Sequence, residues 1–171
     1  MRADAARNRE KVLVAARELF AEKGFDVPLD EIAARAGVGP GTVYRHFPTK
    51  QALFQAVTDA RVSAMIASAA EPADDPGEAL FAFLARMAEE ASAKRDLSDA
   101  ITVPSELRDN LHAALGGLLT QAQEAGAVRR DVTTKDLVSL MKGLLQSLHD
   151  GANPAVLLEI VLTGLQSSRK P

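Results

Sequence analysis

Ile32-Ala33-Ala34-Arg35-Ala36-Gly37-Val38-Gly39-Pro40-Gly41-Thr42-Val43-Tyr44-Arg45-His46-Phe47 is the stretch on which the fold turns. Leu29, Ile32, Ala33 and Ala36 have the apolar spacing of a helix of about two turns, which opens at Pro28 and is ended by Gly37. Gly39-Pro40 opens a second short helix, Pro40 to His46, because proline in a first turn forfeits no hydrogen bond. On it Val43 and Phe47 point one way, while Thr42, Tyr44, Arg45 and His46 are left at other angles. Two helices this short, joined by the tight turn Ala36-Gly37-Val38-Gly39, have the spacing of a helix-turn-helix, whose second helix enters the DNA major groove.

Outward from this stretch the chain reads as helix after helix. Residues 1–6 are expected to be a disordered start, and from Arg7 the spacing of Val12, Leu13, Ala16, Leu19 and Phe20 predicts an amphipathic helix that stops at Gly24. Pro48-Thr49 breaks the chain, with Thr49 a good cap for a helix from Lys50 to about Ala70. Residues 71–77, with two prolines and a glycine, predict the main internal loop. Leu80, Phe83, Leu84, Met87, Ala88 and Ala91 then mark a helix that fades near Lys94-Arg95-Asp96. Pro104 opens the next, with Leu107, Leu111, Leu115, Leu118, Leu119 and Ala122 as its stripe. Thr133 or Thr134 caps a helix carrying Leu137, Leu140, Met141, Leu144, Leu145 and Leu148. The last helix, 155 to about 167, is apolar on more than one side through Val156, Leu157, Leu158, Ile160, Val161, Leu162 and Leu165, so it must be buried from several directions. In a chain of this size a second copy is the expected partner.

Composition agrees with an all-α fold. The 171 residues include 31 alanines and only seven aromatics, six Phe and one Tyr, and alanine loses no side-chain entropy in a helix. Cysteine is absent, which excludes disulfides, thiol nucleophiles and cysteine-based zinc sites. No apolar run is long enough to cross a bilayer, so a soluble, unexported, cytoplasmic protein with no membrane partner is expected. There is no Gly-rich phosphate loop, no nucleophile elbow, no framed carboxylate pair and no His pair at metal-ligand spacing; no catalytic residue, cofactor or metal is expected. The net charge of −3 argues mildly against a nucleic-acid binder, but it averages over unlike parts. Residues 1–50 hold nine basic and seven acidic side chains, and residues 51–171 hold eleven and sixteen.

Three segments at the right mutual spacing resemble the TetR family of bacterial repressors: Ala16-Arg17-Glu18-Leu19-Phe20-Ala21-Glu22-Lys23-Gly24-Phe25, then Ile32-Ala33-Ala34-Arg35-Ala36-Gly37-Val38, then Gly41-Thr42-Val43-Tyr44-Arg45-His46-Phe47-Pro48-Thr49-Lys50-Gln51-Ala52-Leu53-Phe54. The similarity covers about residues 7–60. It implies a three-helix DNA-binding head, residues 1–48, on a helical ligand-binding and dimerisation body, residues 49–171. It further implies a homodimer on a near-palindromic operator, released by a small, mostly apolar effector. By position Thr42 and Tyr44 resemble phosphate or base-edge contacts, and His46 the phosphate contact at the end of the recognition helix. Lys50 matches a lysine at the start of the next helix, where its charge and the helix N-terminus face a phosphate. Gly41 fits close approach of backbone to DNA. Arg45 falls at a variable position, read either as a bidentate guanine contact or as a phosphate contact. Two departures stand out: Val27-Pro28 and Gly39-Pro40 occupy places where hydroxyl-bearing caps are usual.

Each residue also has a plainer assignment: Tyr44 as packing, Lys50 as a solvated lysine, His46 as an electrostatic helix cap, and His149 likewise at the end of its own helix. The helix faces suggest Phe81, Phe83, Met87, Ile101, Val103, Leu111, His112, Met141 and Leu145 as pocket lining, though such stripes also serve as plain core, and His112 also fits a partly exposed stripe edge. For the dimer interface they suggest Leu137, Leu140, Leu144, Leu148, Leu157, Ile160, Val161 and Leu165. The competing functions are a helical protein–protein interaction module with a vestigial head, and a DNA-binding regulator that needs no ligand.

Overall fold

A computed structural model describes residues 2–92 and 103–167. Among them lie eight helices: α1 (Arg2–Lys23), α2 (Leu29–Ala36), α3 (Pro40–His46), α4 (Lys50–Ala69), α5 (Pro76–Ser92), α6 (Ser105–Glu124), α7 (Thr134–His149) and α8 (Pro154–Leu165). They form two compact units, one ending at Arg61 and the other beginning at Val62, so the division falls within α4.

The core of the first unit joins Val12, Ala16 and Leu19 of α1 to Ile32 and Ala33 of α2, Val43 of α3, Phe47, and Leu53 and Val57 of α4. Helix α1 begins at Arg2, five residues before the expected start at Arg7. Ala5 and Ala6 are strong helix formers, and Asp4 sits in the first turn within reach of Arg7, so the helix runs on past its buried part. Thr49 caps α4 as expected, its hydroxyl accepting from the Ala52 amide at 3.0 Å. Phe20, Phe25 and Phe54 form a three-ring cluster with centroids 5.2 to 6.1 Å apart.

The second unit closes around Leu80 and Leu84 of α5, Leu115 and Leu119 of α6, Leu137, Met141 and Leu148 of α7, and Val161 and Leu165 of α8. A short antiparallel bridge, Val128 to Gln166, ties the turn after α6 to the end of α8. Thr133 starts α7 in a capping box with Asp136, whose carboxylate is held below its usual pKa by the Thr133 hydroxyl and backbone amide. Residues 76 and 77, expected to be loop, instead open α5: Pro76 is its first residue, and the Asp75 carboxylate accepts from the Gly77 and Glu78 amides at 2.8 and 3.0 Å.

Gly77 is required by contact. A Cβ there would lie 2.5 Å from the Ala127 Cβ, closer than two carbons pack. Gly77→Ala is expected to cost about 1–3 kcal/mol through overpacking, read as a Tm several degrees lower in thermal denaturation. An unchanged Tm would mean that the turn at Ala127 gives way freely.

Candidate nucleic-acid interface

The turn between α2 and α3 is built by backbone chemistry. Gly37 adopts φ 65°, a left-handed conformation that strains any residue with a Cβ. Its amide donates to the Ala34 carbonyl and that of Val38 to the Ala33 carbonyl, both at 3.1 Å, closing a Schellman motif. Ala33 is buried in the apolar cluster and Val38 packs against it, an apolar association that often accompanies this motif. Pro28 and Gly39 then start α2 and α3 with no side-chain cap bond, so the missing hydroxyls are replaced by backbone geometry.

Helix α3 is held from behind. Val43 is wholly buried and Phe47 nearly so; burying a valine side chain stabilises by about 1.5–3 kcal/mol. The Phe47 amide donates to the Val43 carbonyl at 2.8 Å. Gly41, Tyr44 and Arg45 are exposed, and Thr42 and His46 half-buried. Tyr44 is 49% exposed, among the most exposed large hydrophobic residues. A Cβ added at Gly41 would meet nothing within 4 Å. The Arg45 guanidinium folds back on its own helix: Nε donates to the Gly41 carbonyl at 3.1 Å, and Nη2 lies 3.5 Å from the Thr42 hydroxyl.

Lys50, at the first turn of α4, donates to the Phe25 carbonyl at 3.0 Å with its ammonium 5.0 Å from the Phe25 ring centre. These contacts direct it, and the ammonium has two further protons to offer. Arg9, which no sequence pattern singles out, lies over the Phe47 ring at 5.4 Å and brings a cation from α1 to the end of α3.

Charge is sorted within this unit. Arg35 pairs with Glu18 and Glu22 at 3.4 and 3.2 Å, and Lys23 with Glu31, so acids of α1 and α2 are met by bases there. Glu22 first, then Glu18, hold the Arg35 guanidinium above its ordinary pKa. Residues 32–58, by contrast, contain no Asp or Glu, while Arg45, His46 and Lys50 fall among them. The small excess of bases over residues 1–50 therefore hides a local positive surface at α3 and the start of α4. That carboxylate-free run is a signal the sequence carried and the net charge masked.

The other expected sites are placed differently. Ile101 lies outside the described residues. Phe83, Met87 and Met141 are buried in the core of the second unit, with Phe81, Leu111 and Leu145 packed against it; Val103 and His112 are half-buried. Phe81 also borders an open groove of about 490 Å³ with Asp75, Gly77, Glu78, Ala82, Ala85, Ala127 and Leu162. A second groove, about 380 Å³, runs along Ile66, Ala69, Ala70, Asn110, Ala113, Ala114, Gly117, Leu118 and Gln121. Of the residues assigned to a dimer interface, Leu137, Leu144, Leu148, Val161 and Leu165 are buried in their own unit, and Leu157 is half-buried. Leu140 and Ile160 are exposed, at 43% and 62%, and Val156 beside Ile160 on α8 is 51% exposed. Among the described residues no helix is long and apolar enough to cross a membrane, and no group of three His, Asp or Glu side chains is placed to hold a metal.

Comparison with known proteins agrees with this geometry. Residues 12–57 match the bacterial regulatory proteins of the tetR family, and residues 75–167 match the SbtR-like transcriptional regulator C-terminal domain. A TetR transcription regulatory protein from Mycobacterium vanbaalenii has a similar crystal structure, with TM-score 0.72 and 43% identity over 96% of this chain and 98% of that one. The HTH-type transcriptional regulator UidR of Escherichia coli is 41% identical over 58 residues, 33% of this chain and 30% of UidR. The HTH-type transcriptional repressor BepR of Brucella suis is 44% identical over 57 residues, 33% of this chain and 27% of BepR. The matched part thus spans less than a third of either curated relative. With both units matched and the α2–turn–α3 geometry in place, the chain belongs to the TetR family of DNA-binding transcriptional regulators.

Proposed function

We propose that this chain acts in the cytoplasm as a homodimeric repressor that holds a near-palindromic operator and releases it when a small, mostly apolar molecule binds the body. The observation that carries this is helix α3, locked from behind by Val43 and Phe47 and presenting Tyr44 and Arg45 to solvent. Residues 1–48 form the DNA-binding head in this proposal and residues 49–171 the regulatory body. Gly41, Thr42, Tyr44, Arg45, His46 and Lys50 meet the operator: Lys50 and His46 at phosphates, Thr42 and Tyr44 at phosphates or base edges, and Gly41 through its backbone. A two-fold dimer places two copies of α3 about one DNA turn, ~34 Å, apart.

Leu140, Val156 and Ile160 support the dimer, because they are large apolar side chains of α7 and α8 left exposed on their own unit. The grooves beside Phe81 and Ile66 are within the size range of small-molecule sites and support an effector. Binding that favours a body conformation unsuited to DNA weakens operator affinity, and by linkage the operator weakens effector binding equally.

The test is selection of genomic fragments by the purified protein, followed by sequencing. Enrichment of a few near-palindromic sites supports the proposal, with two protomers bound to each. Uniform recovery of fragments would refute it.

A further inference from the structure

The geometry points to Arg45 as a guanine reader whose guanidinium is positioned by Thr42 and by the Gly41 carbonyl. This rests on the operator-binding function proposed above and goes beyond it by separating Arg45 from the phosphate contacts.

A guanidinium has two forks of parallel N–H groups, one from Nε and Nη2 and one from Nη1 and Nη2. In this chain the first fork faces the protein: Nε donates to the Gly41 carbonyl at 3.1 Å, and Nη2 lies 3.5 Å from the Thr42 hydroxyl. The second fork carries the N–H pair that matches the O6 and N7 acceptors of guanine. Direction agrees with this. Long helical side chains turn back toward the helix N-terminus, and the N-terminal part of a recognition helix is what reaches base edges. Contact with Gly41 and Thr42, four and three residues earlier, turns the guanidinium that way. No acid lies between residues 32 and 58 to offer a nearby competing carboxylate along the chain. Thr42 is therefore a positioning residue as well as a candidate backbone contact. Fixing the arginine before binding also lowers the conformational entropy cost of reaching the base.

The experiment uses the full chain and a pool of duplexes randomised at their centre, with bound and unbound fractions sequenced. Wild-type protein is expected to enrich guanine at one position in each half-site. Arg45→Ala should lower the ratio of guanine to other bases there about tenfold or more. Arg45→Lys should lose most of that ratio too, since it keeps the charge and loses the fork. Thr42→Val should reduce it several-fold and Thr42→Ser should restore it, a pattern that removal of a phosphate contact alone does not give. Arg45→Ala weakening all sequences alike, with the salt slope falling by about one for each phosphate no longer neutralised, would overturn the assignment in favour of a phosphate contact. A guanine ratio unmoved by Thr42→Val would overturn the positioning role. Enrichment of no sequence by the wild type would overturn the operator-binding function itself, together with this inference.

Discussion

Ile160→Glu is expected to convert the proposed dimer to a monomer and to weaken operator binding by about two orders of magnitude or more. Ile160 is 62% exposed on α8, one helical turn from the exposed Val156, with Leu140 exposed on neighbouring α7. A carboxylate at the centre of such a face, once covered by a second copy, is buried without a partner. Operator affinity falls with it, because a dimer binds its second half-site at the high effective concentration set by the first. Sedimentation velocity and a DNA titration on the same preparation read both effects, and an unchanged sedimentation profile would place the interface elsewhere. The choice of residue matters. Leu144 lies on α7, one turn from Leu140, but it is only 5% exposed within its own unit, so Leu144→Glu is expected to unfold the protomer.

Tyr44→Ala is expected to weaken operator binding by about 2–3 kcal/mol, two copies of a contact worth about 1–1.5 kcal/mol each, while leaving Tm unchanged. The side chain is half exposed and outside the apolar cluster behind α3, so its removal opens no cavity. Lys50→Ala should behave differently. It should lower the salt slope of binding by about one for each phosphate left without its ammonium, and it should also remove the cation from the Phe25 ring, with a small cost in stability. Normal operator affinity in both variants at matched salt would contradict the proposed contacts.

The helix-turn-helix was legible because its signals are local. Gly37 at a left-handed position, Pro40 in a first turn, and Val43 and Phe47 four residues apart need no knowledge of the rest of the chain. The start of α1 was not, because an exposed extension with no apolar stripe carries no periodic signal, and alanine propensity and the Asp4–Arg7 pair help to hold it. Helix α8 shows a different limit. Periodicity marks Val156, Leu157, Ile160, Val161 and Leu165 alike as apolar, but only packing decides that Val161 and Leu165 turn inward and Val156 and Ile160 outward. The same holds for the proposed pocket: Phe83 and Met87 of α5 and Met141 of α7 fall on apolar stripes that suit either a cavity wall or plain core, and only packing shows that they are buried in the core. At the proposed DNA-facing surface, spacing named Arg45 but not the direction of its guanidinium, which depends on side-chain torsions and on the Gly41 carbonyl.

The most direct test of the central claim is titration of the wild-type protein against a duplex recovered by genomic selection and a shuffled duplex of equal length, at about 0.15 M salt. Specific binding stronger by about 10³-fold or more, saturating at two protomers per duplex, is the predicted result. Equal affinity for the two duplexes, disappearing for both as salt rises, would contradict it.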